Sequence, residues 1–271
     1  MRLKTDLISG AGNTFHISFG TSSCFLNSEN AHQKMQAAAR QICAHDKADG
    51  FIILESSSEV SVQKEESFKW FFFNNDGSDA EMCGNATRCV GYFLKNRLLS
   101  ERIEWCLQTI AGPIKIKYLN KINYQIEMSP IQKFSSSLGF FCNTGVPHLV
   151  LESKDSDLLS NLNNELRQKS KTLRFHPEFS PRGTNVTYVF FEKENSKVKA
   201  ISFERGVEDF TAACGTGAMA AAFFNLTKRG IRQTQVEMPG GTLIMNLQDL
   251  NRPQMTGPAI LLGSFENEIS V

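Results

Sequence analysis

Met82-Cys83-Gly84-Asn85-Ala86 and Ala213-Cys214-Gly215-Thr216-Gly217 lie about half the chain apart. Each sets a cysteine, a glycine and a small polar residue at the mouth of a segment that reads as a helix. The first helix is predicted over 84–98 and the second over 215–228, with Gly230 as the C-terminal stop of the second. A junction that recurs in this way predicts two halves, each with one helix that begins at a cysteine.

Around these helices most of the signal is strand. Phe51-Ile52-Ile53-Leu54, Trp70-Phe71-Phe72-Phe73 and Val186-Thr187-Tyr188-Val189-Phe190-Phe191 are short apolar or aromatic runs bounded by polar residues. Ile114-Lys115-Ile116-Lys117-Tyr118 and Tyr124-Gln125-Ile126-Glu127-Met128 alternate as half-exposed strands do. Residues 197–203 start with that alternation and lose it near Ile201. A further helix is predicted over 31–44, rich in helix formers, and another over 156–170 with Ser156 as its N-cap. The fold class is α+β, strand-rich, in two halves.

With 271 residues the chain is long enough for one large or two medium domains, each with its own core. Its 29 basic and 28 acidic side chains nearly cancel, which removes the overall field that would draw nucleic acid or an anionic membrane. No run reaches the roughly 20 apolar residues needed to span a bilayer. The residues after Met1 lack the apolar segment of a secretory signal, so the cytoplasm is the expected location. Seven cysteines (Cys24, Cys43, Cys83, Cys89, Cys106, Cys142, Cys214) are an odd number in a chain too large to need stapling, which fits a reducing compartment. Cys83 and Cys89 are spaced too widely for a zinc pair, and no second pair completes a set. Cys24, Cys43, Cys106 and Cys142 read as partly buried thiols without a role, and Cys89 as a packing residue.

A helix start offers unpaired N–H groups and a partial positive charge, which favour a thiolate and can hold a carboxylate. Inverting a carbon beside a carboxylate requires one group to remove a proton from one face while another delivers a proton to the opposite face. A thiolate and a thiol do this and exchange states for the reverse direction, while two helix starts stabilise the charge that develops. One cysteine near a helix start is ordinarily a small buried residue; two glycine-flanked copies in separate halves favour function.

Seven segments, the two junctions among them, resemble diaminopimelate epimerases. They are Gly10-Ala11-Gly12-Asn13-Thr14-Phe15; Asn74-Asn75-Asp76-Gly77-Ser78 through Cys83-Gly84-Asn85 to Arg88-Cys89; Gly145-Val146-Pro147-His148; Thr184-Asn185-Val186; Glu204-Arg205-Gly206; Ala213-Cys214-Gly215-Thr216-Gly217-Ala218; and Met238-Pro239-Gly240-Gly241. They follow the family's order over nearly the whole chain. The resemblance implies two pseudo-symmetric domains, residues 1–127 with 258–271 and residues 128–257, each a β-barrel around a central helix, with the active site between them. It implies conversion of LL-diaminopimelate to the meso form without pyridoxal phosphate or metal, for lysine and peptidoglycan synthesis, by a homodimer. Carried over by position, Cys83 and Cys214 are the acid–base thiols, and the backbones of Gly84, Asn85, Gly215 and Thr216 hold the reacting carboxylate. Asn13, Asn74, Asn185 and Arg205 hold the rest of the substrate, and His148 and Glu204 flank and assist the site. On their own residues, Asn74 and Asn185 read as turn residues, Glu204 with Arg205 as a solvated pair, and His148 as a loop residue.

The chain departs from the family at Val146, where an Asn that contacts the distal end of the substrate is usual. It also has Ala86 for Gly, Phe210 where many members carry Glu, and Thr14 for a frequent Asp. An intact reacting centre with altered distal recognition points to a broadened racemase that also takes glutamate. Proline racemase shares the architecture but has a His where this chain has Asn85. A thiol redox protein would cycle a Cys83–Cys214 disulfide, and a non-catalytic binding protein would have no need of both thiols.

Overall fold

The computed structural model describes residues 1–20, 25, 30–57, 66–99, 101–194 and 196–270. It divides into two compact units, Met1–Ile126 with Gly257–Val271, and Glu127–Thr256.

The first unit contains β1 (Arg2–Gly10), β2 (Asn13–Phe19), α1 (Ala31–Asp46), β3 (Gly50–Ser56), β4 (Glu66–Asn74), α2 (Gly84–Asn96), β5 (Glu104–Thr109), β6 (Gly112–Asn120), β7 (Asn123–Glu127) and, from the C-terminal segment, β16 (Ile260–Glu268). The second contains β8 (Gln132–Phe134), β9 (Phe140–Asn143), β10 (Pro147–Glu152), α3 (Asn164–Arg174), β11 (Asn185–Phe191), β12 (Lys197–Phe203), α4 (Gly215–Arg229), β13 (Gln233–Met238), β14 (Gly241–Asn246) and most of β15 (Gln254–Pro258). Strand order is β16-β1-β2-β3-β4-β5-β6-β7 in one and β8-β9-β10-β11-β12-β13-β14-β15 in the other.

In those orders, neighbouring strands pair in the same succession in both units: antiparallel, antiparallel, parallel, antiparallel, parallel, antiparallel, antiparallel. A hairpin cannot join parallel neighbours, so each parallel pair needs a crossover. The helices supply them: α1 lies between β2 and β3, α2 between β4 and β5, α3 between β10 and β11, and α4 between β12 and β13. The internal repeat is therefore one of topology.

Within each unit one helix is enclosed. α2 packs on β1, β2 and β6, strands from opposite ends of its sheet, and α4 packs on all of β9 to β14. Gly84 to Gly91 are buried without a break, and so are Gly217 to Asn225. Helices covered on nearly every side are core elements, and a sheet that touches one helix from both of its ends curls around it as an open barrel. α1 and α3 cover the outer face instead. α1 does so through Met35, Ala38, Ala39, Ile42 and Cys43, spaced as one helical stripe, against Phe51, Ile53 and Phe73. Leu166 and Leu173 of α3 pack on Val186, Tyr188, Ile201 and Phe203.

The strands predicted at 51–54, 70–73, 114–118 and 186–191 lie within β3, β4, β6 and β11, and that at 124–128 overlaps β7. β12 loses its alternation at Ile201 because α3 covers one face and α4 the other. The helix predicted over 156–170 is displaced: α3 begins at Asn164, and Asn163 Oδ1 caps it by accepting from the Leu166 N–H at 2.9 Å. Ser156 caps nothing, since its neighbours form turns in which Asp155 accepts from the Asp157 N–H at 2.8 Å and from Asn161 at 3.0 Å. Short polar side chains that bond the local backbone compete with a helix. Cys43, Cys106 and Cys142 are buried, and no disulfide joins the described cysteines to one another; Cys24 lies outside the described residues. Among the described residues no helix is long and apolar enough to cross a membrane.

Candidate active site

In the first unit Asn13, Cys83, Gly84 and Asn85 gather at the start of α2. Strands β1 and β2 join through Ala11 and Gly12, both at positive φ (57° and 95°), with Gly10 and Asn13 as register partners. Asn13 thus opens β2, and its Oδ1 accepts from Asn85 Nδ2 at 2.6 Å. A Cβ at Gly10 would lie 2.7 Å from the Asn85 carbonyl oxygen and 2.9 Å from Cys89 Sγ, so α2 reaches β1 only because residue 10 has no side chain. Cys83 is the N-cap of α2, extended (φ −142°) and half-buried, and Gly84 and Asn85 are the first helical residues. Their N–H groups have no acceptor within the helix. The Cys83 carbonyl accepts from both the Thr87 N–H and its hydroxyl at 2.9 Å. Asn74 ends β4 and donates through Nδ2 to Ser78 Oγ at 3.0 Å, which makes its amide a turn element of 74–78.

The second unit builds a denser network at the start of α4. Cys214 is the N-cap, extended (φ −121°), and its sulfur accepts from the Gly217 N–H at 3.3 Å and lies 3.4 Å from Thr216 Oγ1. A Cβ at Gly217 would fall 2.1 Å from Ser202 Oγ, so this glycine lets the helix begin against β12. The fully buried His148 places Nδ1 2.8 Å from Thr187 Oγ1 and Nε2 3.0 Å from Thr216 Oγ1. Thr187 Oγ1 in turn lies 2.9 Å from Ser202 Oγ. Asn185 pairs in register with His148 across β10 and β11, and its Oδ1 accepts from the Arg205 N–H at 2.8 Å. Glu204 accepts from the Thr211 hydroxyl and is hydrogen-bonded to the Cys214 thiol, so it is not a solvated partner of Arg205. Arg205 lines a cavity of about 270 Å³ together with Pro147, Phe179 and Arg182.

Burial governs the electrostatics here. It pushes the Cys214 thiol up, and the Glu204 carboxylate pushes it further. That outcome corrects the expectation that a helix start favours the thiolate: for Cys214, desolvation and an adjacent carboxylate outweigh the helix end. Burial likewise raises Glu204, against the hydrogen bonds from Thr211 and Cys214 that lower it. His148 is pushed down to about 3, by burial and then by Arg205, and so is a neutral imidazole.

The sequence profile of diaminopimelate epimerase matches residues 15–133 and 140–262. The chain belongs to the diaminopimelate epimerase family. It is therefore an enzyme of the isomerase class. The diaminopimelate epimerase of Aquifex aeolicus is 34% identical over 249 residues, covering 85% of this chain and 84% of that one. That of Chlamydia muridarum is 28% identical over 268 residues, covering 93% and 94%. Among solved structures, a Bacillus anthracis phenazine biosynthesis protein of the PhzF family aligns with a TM-score of 0.78 at 13% identity, over 99% of this chain and 100% of that one. A probable proline racemase from Agrobacterium radiobacter aligns with a TM-score of 0.65 at 13% identity, over 99% and 93%. At such identities the likeness is one of fold.

Two departures from the epimerase pattern have a structural reading. Phe210 packs on Phe203 and Tyr188 with ring centroids 5.5 and 6.2 Å away, so an apolar cluster under α3 takes up this side chain. Val146 is half-buried in a turn where its carbonyl accepts from the Thr144 N–H at 3.2 Å. Three polar residues around His148 and Cys214 are not singled out by the sequence: Thr187, Ser202 and Thr211. Thr187 carries the one available signal, standing two residues after Asn185 and so on the same face of β11.

Proposed function

We propose that the chain epimerises LL-diaminopimelate to the meso form by proton exchange between Cys83 and Cys214, without an organic cofactor or metal. The observation that carries this reading is the recurrence of one feature at one place in two copies of one architecture. A cysteine followed by glycine caps the enclosed helix of each unit. In the resting enzyme Cys214 holds its proton, since burial and Glu204 both disfavour its thiolate. The partner that starts as base is then Cys83. Its thiolate takes the Cα proton, the electron pair remains on the substrate as a carbanion, and the Cys214 S–H delivers a proton to the opposite face. Turnover leaves Cys83 as thiol and Cys214 as thiolate, which is the starting state for the reverse reaction. The N–H groups of Gly84, Asn85, Gly215 and Thr216 hold the carboxylate whose charge grows as the proton leaves. Asn13, Asn74, Asn185 and Arg205 hold the remainder of the substrate, and neutral His148 with Glu204 organises the Cys214 side. The product serves lysine and peptidoglycan synthesis, in the cytoplasm, and the working form is a homodimer.

A second reading rests on Val146, which cannot hydrogen-bond a distal amine. The same centre then also racemises glutamate, which has a distal carboxylate and no distal amine. Deuterium uptake at Cα in D₂O, under reducing conditions and with no cofactor added, tests both. LL-diaminopimelate and L-glutamate are compared, with Cys83→Ala and Cys214→Ala alongside. Uptake with inversion, reduced by about 10²–10⁴-fold or more in each variant, supports the two-thiol mechanism. Its absence with both substrates moves a redox or binding protein to the front.

A further inference from the structure

Arg88 is buried completely, in the second turn of α2 and close behind Cys83. Its Nη2 donates to Asn85 Oδ1 at 2.9 Å, its Nε to the Pro258 carbonyl at 3.4 Å and its Nη1 to the Gly84 carbonyl at 3.5 Å. A charged residue this deep is costly to the fold, because desolvation disfavours the cation; burial indeed draws Arg88 down to about 10. The architecture does not require a cation at this point. At the matching place after Cys214, the helix of the second unit buries Met219.

What Arg88 does follows from donor and acceptor chemistry. A guanidinium only donates, so the Asn85 atom facing it has to be the carbonyl oxygen. That fixes Asn85 Nδ2 as the group turned to Asn13, where it donates at 2.6 Å, and makes the atom that receives it Asn13 Oδ1. The half-buried Asn13 is then left with its Nδ2, which carries two N–H donors, on its other side. Without the guanidinium both amides could turn over and present an oxygen in place of an N–H.

We propose that Arg88 is a positioning residue: by donating to Asn85 it locks the Asn85–Asn13 amide chain in the orientation that offers the Asn13 N–H groups to a substrate carboxylate. The ligand class rests on the proposed epimerase reading, in which Asn13 touches substrate; the lock itself does not.

The test uses the full chain with Arg88→Met, which copies the second unit, and Arg88→Lys, which keeps the cation and loses the fork. Spectra of the protein labelled with ¹⁵N in asparagine side chains, without substrate, report the two carboxamides. In Arg88→Met the Asn85 and Asn13 signals shift and lose protection from solvent exchange. In Cα deuterium exchange the same variant raises KM by about tenfold or more, the size of one lost charge-assisted hydrogen bond, with a smaller change in kcat. Asn13→Ala, which raises KM by itself, adds nothing further in the Arg88→Met background, because both remove one contact. Arg88→Lys shows the same changes in smaller degree and keeps the proposal testable if the Met variant does not fold. Unmoved carboxamide signals, or KM effects of Arg88 and Asn13 that multiply independently, overturn it. The spectra need no substrate. If diaminopimelate is not turned over, the unaltered enzyme shows no exchange, while the carboxamide signals still decide whether Arg88 holds the two amides.

Discussion

Asn185 donates from Nδ2 to His148 Nε2 at 3.3 Å, and this orientation is imposed because the Arg205 N–H occupies Asn185 Oδ1. Nε2 is therefore the acceptor, and the ring proton sits on Nδ1, 2.8 Å from Thr187 Oγ1. His148 is held neutral, with its pKa lowered from 6.5 to about 3. Unfolding restores the ordinary value, so between about 3 and 6.5 the unfolded chain binds more protons and stability rises with pH. The contribution is complete above 6.5 and is lost as the pH falls through that window, at a slope of up to roughly 1.4 kcal/mol per pH unit. Denaturant unfolding of the unaltered protein and His148→Gln should give stability curves that diverge from pH 3 to 6.5 and run parallel above it. Curves parallel throughout would mean that His148 is not held neutral.

The Glu204 carboxylate disfavours the Cys214 thiolate. Glu204→Gln removes that charge and keeps a side chain that can bond Thr211, so the Cys214 pKa should fall. The rate of Cys214 alkylation by iodoacetamide, followed by peptide mass spectrometry across pH, should then rise at lower pH than in the unaltered protein. On the proposed two-thiol mechanism epimerisation should slow as well, since Cys214 would no longer hold the proton it delivers as firmly. An unmoved alkylation profile would assign the whole effect to burial.

The two cysteine-headed helices are legible in the sequence because Cys-Gly junctions, an open run of helix formers and Gly230 are all local signals; Gly230 indeed closes α4 at φ 75°. β16 is not: its pattern of half-buried and exposed positions, with Gly263 inside it, has no continuous apolar face, and its pairing with β1 joins opposite ends of the chain. The start of α3 is hidden because Asp155, Asp157 and Asn161 form turns with one another, which composition alone does not disclose. At the site, residue types are legible and surroundings are not. Thr187 and Ser202 carry no role that the sequence discloses, yet they are buried and bonded to each other, with Ser202 against the start of α4. The sequence shows the helix start that would ionise the Cys214 thiol. The carboxylate that opposes it, ten residues earlier, becomes its neighbour only through the fold.

Val146→Asn tests distal recognition. An asparagine there restores one hydrogen-bonding side chain in the turn that precedes His148, and one such bond contributes about 0.5–1.5 kcal/mol net. The ratio of kcat/KM for diaminopimelate over glutamate should rise by roughly two- to twelvefold. The rates of the two substrates, run in parallel on both proteins, give that ratio directly. Equal ratios would detach substrate choice from residue 146.

Gly10 and Gly217 are tight for different reasons, and their alanine variants should part accordingly. At Gly217 the obstructing atom is Ser202 Oγ, 2.1 Å from the added methyl, a side-chain atom that can be removed. Gly217→Ala should cost about 1–3 kcal/mol, the usual penalty of overpacking, and Gly217→Ala with Ser202→Gly should recover most of it. At Gly10 the obstruction is the Asn85 carbonyl at 2.7 Å, a backbone atom of the first turn of α2, and only movement of the helix start relieves it. Because Cys83 caps that helix, the displacement carries the thiol and the adjacent N–H groups with it. Gly10→Ala should therefore reduce kcat on the order of 10²-fold even at temperatures where it remains folded, since catalysis is sensitive to misplacement of about 1 Å. Thermal unfolding and exchange rates measured on the same samples separate the two effects. A Gly10→Ala protein that loses stability but keeps its kcat would show that α2 can shift without disturbing Cys83.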